Sequence, residues 1–208
     1  EANKEKHENT VFYVTDEKEQ SQYINMFREE GLDAVILPHS IDSPFIGHLE
    51  QKNEGLKFLR IDADLNDTFK EEVKEDDEEF KKQAEELSAI FKKALGNDKL
   101  EIKVEKLKNE NISSIITLSE EGRRMQDMMK MYGMAGMDPS MFGGDQTLIL
   151  NANNQLVKYI LEHKDSEHVP VFCEQLYDLA LIANHPLTPD AMSKFVARSN
   201  QIMLLLAK

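Results

Sequence analysis

A chain of 208 residues is long enough to bury one large hydrophobic core or two small ones. Its hydrophobic content of 40% excludes an intrinsically disordered chain, and its formal net charge of -14 argues against nucleic acid or an anionic membrane as a partner. The single cysteine, Cys173, excludes an internal disulfide framework and indicates a reducing compartment, so we expect a cytoplasmic protein.

The first 62 residues alternate between strand-like and helix-like segments. Apolar and β-branched runs predict the strands, whereas a one-sided apolar stripe ending at Gly31 and a proline at position 44 mark the two helices. The predicted segments are, in order, 10–14, 17–30, 34–37, 43–51 and 56–61. Apolar strands alternating with helices indicate a parallel sheet between helix layers, so we predict a small three-layer α/β subdomain over residues 1–62.

Residues 63–208 predict a second, helix-rich domain. A long helix with an acidic solvated face runs from Phe80 to Leu95, where Gly96 ends it. Three strands follow at 100–107, 111–118 and 146–150, and helices follow at 154–163, 169–184 and 189–206. With a turn at 108–111, the strands predict a three-stranded antiparallel sheet, and the last two helices predict a C-terminal hairpin. The fold class predicted for the whole chain is therefore α+β.

No motif for catalysis, metal binding or phosphate binding occurs in this sequence. The six histidines and the cysteine are scattered without ligand spacing, the glycines match no phosphate loop, and no serine sits in a nucleophile elbow. Cys173 lies in an apolar helix, where packing is the expected role. We therefore predict no catalytic residue, no metal site and no cofactor in this chain. An enzyme that uses Cys173 or the carboxylates ranks third among the function hypotheses.

The final two predicted helices carry more apolar surface than one chain can cover. The first is apolar around most of its circumference, and the second has apolar residues at spacings of three and four. Two such hairpins can pack into a four-helix bundle, which predicts a homodimer. The alternative is that the hairpin packs back on its own sheet. The predicted dimer residues are Phe172, Leu176, Leu179, Ala183, Met192, Phe195, Val196, Ser199, Ile202, Met203 and Leu206.

A methionine-rich segment at residues 120–141 holds seven of the ten methionines. Within it, Met125, Met128, Met129 and Tyr132 share one helical face, and Met131 lies beside them. Glycines and a proline then interrupt the helix, which is unusual for a core segment. Because methionine is unbranched and polarizable, the segment favours an exposed surface for partners of varied shape, although a core stripe is the alternative.

The order of several segments resembles the C-terminal part of the heat shock protein 90 family of chaperones, in its bacterial form. The matching segments are 11–15, 30–37, Ile41-Asp42 with Phe45 and Ile46, the acidic helix after 60–62, Leu150-Asn151 with 156–157, and the final hairpin. The likeness covers nearly the whole chain. Two departures are the segment 150–157, which lacks the family's proline and histidine, and the longer methionine-rich segment.

The resemblance implies that residues 1–62 end the chaperone's middle domain and that residues 63–208 form its C-terminal dimerisation domain. The hairpin would be the dimer bundle, and the methionine-rich helix would contact unfolded or partly folded client proteins, with Met128, Met131 and Tyr132 at matching positions and residues 44–47 near the same surface. Together with the pattern of the segment itself, the predicted client residues are Met125, Met128, Met129, Met131, Tyr132, Phe45 and Ile46. ATP and magnesium would bind upstream segments of a longer protein. The ending at 206–208 lacks the acidic tail that recruits tetratricopeptide co-chaperones, so the resemblance implies no such partner.

A signalling protein with a receiver-like α/β domain and a helical dimerisation domain is the alternative function. It requires a phospho-acceptor aspartate at the end of a strand, for which Asp16 is the nearest candidate. Only three strands are predicted before residue 62, which is short for a receiver domain. Since the chain starts at Glu1 without an initiator methionine, we expect any function inferred from it to belong to a longer protein.

Overall fold

The computed structural model describes residues 9–63, 69–73, 77–119, 146–183 and 187–207. Two compact units divide the chain: Glu1–Asn66 with Thr117–Gln146, and Asp67–Ile116 with Thr147–Lys208. The first unit contains β1 (Thr10–Val14), α1 (Ser21–Glu29), β2 (Val35–Ile36), α2 (Asp42–Lys52) and β3 (Lys57–Arg60). The later elements are α3 (Glu78–Leu95), β4 (Glu101–Glu105), β5 (Ser114–Leu118), β6 (Gln146–Asn151), α4 (Gln155–Glu162), α5 (Val169–Ile182) and α6 (Pro189–Leu206).

The first sheet has the strand order β2-β1-β3, and both strand pairs are parallel. Its two helices cover opposite faces, because the chain crosses from β1 to one neighbour through α1 and then returns to the other side of β1 through α2. On the α1 face, the Phe27 ring meets the Phe12 ring edge-on at 5.1 Å between centroids. On the α2 face, Tyr13, Ile46 and Phe58 form one buried cluster. The predicted three-layer α/β arrangement is confirmed.

Helix α3 begins at Glu78, two residues before the predicted start at Phe80, and ends at the predicted Leu95. The Asp77 side chain accepts a hydrogen bond of 2.9 Å from the Phe80 N–H, which satisfies a backbone donor that the helix itself cannot pair. At the other end, Gly96 takes the left-handed conformation with φ of 60°, which costs a residue without Cβ little. Leu87 and Phe91 lie on the buried face, so the acidic residues remain on the exposed face.

The second sheet differs from the predicted antiparallel one. Its order is β4-β6-β5, and β4 runs parallel to β6, so the antiparallel prediction is wrong for this pair. Strand β6 inserts between the two strands that precede it, so residues 106–113 connect strands that are not neighbours and form no hairpin. The N–H of Asn151 at the end of β6 donates to the Ser113 carbonyl just before β5, as between antiparallel neighbours.

Asparagine side chains at the end of β6 hold the connection between β4 and β5. The fully buried Asn151 accepts from the Leu107 N–H at 3.0 Å and donates to the carbonyls of Asn109 and Ile112 at 3.0 and 2.7 Å. Asn153 donates to the Leu107 carbonyl and Asn154 to the Glu110 carbonyl. These five hydrogen bonds pair backbone groups of the connection, which in a hairpin would have been paired between the two strands.

The core of the second unit surrounds helix α5. That helix packs against α3, α4 and α6, and the buried cluster contains Leu87, Phe91, Leu100, Ile116, Leu148, Leu150, Val157, Ile160, Val169, Cys173, Leu176 and Ala180. Because α5 is covered on three sides, its sequence is apolar around most of its circumference. No helix among the described residues is long and apolar enough to cross a membrane.

Candidate interaction surfaces

The hairpin formed by α5 and α6 is fastened by a polar cluster between its helices. Arg198, which is 9% exposed, donates to the carboxylates of Glu174, at 2.8 Å, and Asp178, and to the amide oxygen of Gln175 at 3.0 Å. The Gln175 amide in turn donates to the hydroxyl oxygen of Ser199 at 3.0 Å. The prediction missed Arg198, although carboxylates at positions 174 and 178, one helical turn apart, were a signal for a cation opposite them.

Large apolar side chains remain exposed on the outer side of this hairpin. We call this surface the hairpin face, and it consists of Leu179, Ile182, Met192, Val196 and Met203, with exposures from 37% to 57%. Residues 192, 196 and 203 of α6 share one side at spacings of four and seven. Leu204 is 65% exposed but lies about a quarter of a turn further round the helix. Ile182 and Leu204 were not among the predicted dimer residues.

The other predicted dimer residues are covered to different degrees within one chain. Leu176 is 3% exposed and belongs to the core, whereas Ala183, Phe195 and Ile202 are half-buried. Phe172 is half-buried and meets the Tyr159 ring edge-on at 5.7 Å. Ser199 is half-buried and hydrogen-bonded to Gln175. The side chain of Leu206 lies outside the described residues. The dimer itself stays a prediction.

The predicted client residues fall into a described pair and an undescribed group. Phe45 in the first turn of α2 is 56% exposed, whereas the adjacent Ile46 is 1% exposed and packs against Tyr13 and Phe58. Only Phe45 of this pair is therefore presented at the surface. The remaining predicted residues lie outside the described residues, and their role stays a prediction: Met125, Met128, Met129, Met131 and Tyr132.

Further apolar side chains are exposed in the segment that precedes Phe45. Strand β2 lies at the edge of its sheet with Val35 at 43% and Ile36 at 53% exposure, and Ile41, one helical turn before Phe45, is 71% exposed. We call Val35, Ile36, Ile41 and Phe45 the edge patch. The prediction missed Val35 and Ile36, because an apolar strand in a helix-covered sheet is normally buried. It also gave Ile41, at the start of α2, no place at the surface.

The chemistry of the remaining candidate groups is limited by burial and spacing. Burial, together with the charge of Glu174, raises the pKa of the Cys173 thiol to about 12, so this side chain stays protonated at neutral pH. In the described part of the chain, no group of three or more His, Cys, Asp or Glu side chains could hold a metal ion. The Asp16 carboxylate accepts from the N–H groups of Lys18 and Glu19, as in a turn.

Comparison with known proteins gives one consistent result. The family model described as Hsp90 protein matches residues 1–207. The chain is 36% identical over 172 residues to the chaperone protein HtpG of Bacteroides fragilis strain YCH46, covering 78% of this chain and 24% of that protein. HtpG of Pseudoalteromonas translucida is 27% identical over 191 residues, covering 90% of this chain and 29% of the relative. The chain thus spans about a quarter of the length of the curated relatives that it matches. The chain therefore belongs to the Hsp90 protein family.

Proposed function

We propose that this chain is the dimerising, client-contacting part of a longer chaperone. The observation that carries the proposal is the hairpin face: a chain of the Hsp90 family leaves Leu179, Ile182, Met192, Val196 and Met203 exposed on its last two helices. A group of exposed apolar side chains of this kind on a folded protein is typical of an interaction site. The relatives' printed name, chaperone protein HtpG, supports the same class of function.

The hairpin face supports a homodimer in which two hairpins pack into a four-helix bundle. A two-fold interface places the same patch of both chains in contact, so side chains such as Val196 and Met203 would cover their own copies or neighbours. Full burial of a large apolar side chain stabilises a protein by about 1.5–3 kcal/mol. Each side chain of the hairpin face contributes less than this to the dimer, because about half of it is already covered in the single chain. The Arg198 cluster keeps α5 and α6 together as one unit.

Client binding is supported by Phe45 and by the composition of the methionine-rich segment. A chaperone that receives many unfolded chains needs an apolar surface without fixed hydrogen-bond geometry, and exposed phenylalanine and methionine meet that need. We place the ATP and magnesium site, and hence the hydrolysis of ATP, in upstream segments of the longer protein. The signalling alternative loses its basis, because the family match covers the segment that it assigned to a receiver domain.

The client proposal is tested by substituting the adjacent residues Phe45 and Ile46. We expect Phe45→Ala to weaken suppression of the aggregation of a heat-unfolded enzyme, while the free energy of unfolding changes by less than about 1 kcal/mol, because the ring is exposed. Ile46→Ala is the matched control, since it deletes a buried side chain and should cost about 2–5 kcal/mol. Light scattering and urea unfolding separate the two effects.

A second variant addresses the methionine-rich segment. Replacing Met128, Met129 and Met131 together by serine should weaken suppression of aggregation further and leave the unfolding midpoint nearly unchanged. A large loss of stability would instead assign these side chains to the core, since each buried methionine that is truncated costs about 2–5 kcal/mol. Full suppression by both Phe45→Ala and the triple variant would contradict the proposed client surface.

A further inference from the structure

We propose that the outer edge of β2 binds an extended apolar segment of the client, with basic residues at its ends, as an added fourth strand. This inference rests on the proposed client-binding function and names the class of segment that the edge patch takes. Pairing of an extended peptide with an exposed sheet edge is a general mode of recognition, in which backbone hydrogen bonds supply affinity and side-chain pockets supply selectivity.

The backbone of β2 offers one outward pair of hydrogen-bonding groups for such pairing, at Ile36. The strand pairs with β1 on its inner side, where the Leu37 N–H donates to the Val14 carbonyl at 2.7 Å. Since successive residues of a strand direct their amide groups to opposite sides, the N–H and C=O of Ile36 point away from β1. Among the residues that the structure describes, no strand pairs with this outer side.

The side chains of β2 suit an apolar partner strand. Val35 and Ile36 point to opposite faces of the sheet, and both are about half exposed. Ile41 and Phe45, at the start of α2, are further exposed apolar side chains that follow β2 in the sequence. An edge that exposes apolar side chains on both faces gains apolar contacts from an added strand on each side of the sheet.

A cavity on the α1 side of β2 provides a pocket for one client side chain. Its volume is about 230 Å³, and its apolar lining includes Ile24, Phe27, Leu32 and Ile36. Pockets for drug-sized molecules run from about 300 to 1,000 Å³, so this cavity fits a single side chain better than a free ligand. Because Ile36 both lines the cavity and belongs to the edge strand, a paired strand could direct an alternate side chain into it.

The charges around the edge favour basic flanks on the bound segment. Glu17 and Asp33 line the cavity together with one cation, Arg28. Residues 9–63 contain ten Asp and Glu against five Lys and Arg. Lysine or arginine on either side of an apolar segment is attracted to this acidic surface, whereas acidic flanks are repelled.

The test measures fluorescence anisotropy of labelled peptides titrated with the 208-residue chain. The probe is an extended peptide of alternating valine and threonine with two lysines at each end. Two matched probes carry glutamates in place of the lysines, or N-methyl groups on alternate amides that block strand pairing on one side. We expect roughly tenfold weaker binding for each matched probe, from repulsion in one case and from lost backbone hydrogen bonds in the other.

A variant of the edge itself gives the second arm. Ile36→Pro removes the outward N–H and leaves the inner hydrogen bonds of β2 in place, and proline is tolerated at an edge strand in this orientation. It should weaken the lysine-flanked probe roughly tenfold beyond the effect of Ile36→Ala, which keeps the N–H. The N-methylated probe requires no change in the protein, so it decides the question even where Ile36→Pro unfolds.

Equal affinity for the methylated and unmethylated probes would overturn the added-strand proposal, as would tighter binding of the glutamate-flanked probe. Either outcome leaves the proposed client function standing if the chain still suppresses aggregation of the unfolded enzyme. Loss of that suppression in the unaltered chain would instead refute the client function itself, so the two failures are distinguishable.

Discussion

The thiol of Cys173 lies at the centre of the second unit's core, where α5 meets its neighbouring helices. It is fully buried, and burial and the nearby Glu174 charge raise its pKa from 9.0 to about 12. Because the buried thiol stays protonated, Cys173 is unreactive and packs as a small apolar side chain. The same burial makes the stability of the fold dependent on pH in the alkaline range.

We predict that the free energy of unfolding falls as pH rises from about 9 towards 12. The folded chain keeps the Cys173 proton over that range, whereas the unfolded chain releases it above its ordinary pKa of 9.0, so unfolding is favoured by up to about 1.4 kcal/mol per pH unit. Below pH 9 both states are protonated and this contribution to stability is complete. Urea unfolding at a series of pH values measures the slope.

Cys173→Ala is the control for this prediction. The variant is less stable at every pH because it leaves a small cavity, but its slope above pH 9 should be shallower than that of the unaltered chain by the contribution of one proton. Identical slopes in the two proteins would show that the thiol has no raised pKa.

At the scale of elements, the Arg198 cluster explains how a mostly apolar hairpin keeps one alignment of its helices. Apolar side chains alone allow helices to slide past one another, whereas the guanidinium must meet the carboxylates of Glu174 and Asp178. The cluster therefore sets which side chains of α6 lie beside α5 and which remain on the hairpin face.

We predict that Arg198→Met lowers the free energy of unfolding by about 2 kcal/mol. The change leaves two carboxylates without their cation, and the cost stays below the 3–5 kcal/mol typical of fully buried pairs because Glu174 is 46% exposed. Lys194→Met, at an exposed position of the same helix, is the matched control and should change stability by less than about 0.5 kcal/mol. If the two variants lose equal stability in urea unfolding, the Arg198 cluster does not stabilise the hairpin.

The elements themselves were largely predictable, and their arrangement was less so. The apolar stripe and Gly96 predicted α3, since both act within one helix, whereas the Asp77 cap was not predicted. The neighbours of β4 were not predictable, because the alternation of side chains along a strand identifies its faces but neither its partner nor its direction. The buried Asn151, which replaces the expected hairpin, pairs with backbone groups about forty residues away, so no local pattern indicates it.

The sequence predicted that apolar residues would be exposed, but it identified only some of those residues. Residues 45 and 46 were predicted together, yet adjacent helical residues point about 100° apart, so only Phe45 is exposed. The exposure of Val35 and Ile36 depends on the position of β2 at the sheet edge, which is a property of strand order. Similarly, Leu176 and Leu179 both fit the apolar pattern of α5 in the sequence. Only the packing of α5 against its neighbours buries Leu176 and leaves Leu179 exposed.

At the scale of the whole molecule, the chain spans about a quarter of the length of its curated relatives. In the proposed function, the hairpin face holds two copies of the chain together, and other apolar surface contacts client proteins. The net charge of -14 opposes nonspecific association of chains by mutual repulsion. Dimerisation is the one role proposed for the hairpin face.

Sedimentation velocity of the chain and of two charged variants measures whether the hairpin face forms a dimer. At micromolar concentration we expect the mass of two 23.9 kDa chains, and Val196→Glu should give the mass of one, because the charge would be buried in the dimer but is tolerated on the half-exposed site of the single chain. Gln201→Glu, exposed on another side of α6, should remain dimeric. If the unaltered chain is a monomer, or if the Val196→Glu variant remains a dimer, then the proposed dimer through the hairpin face is wrong.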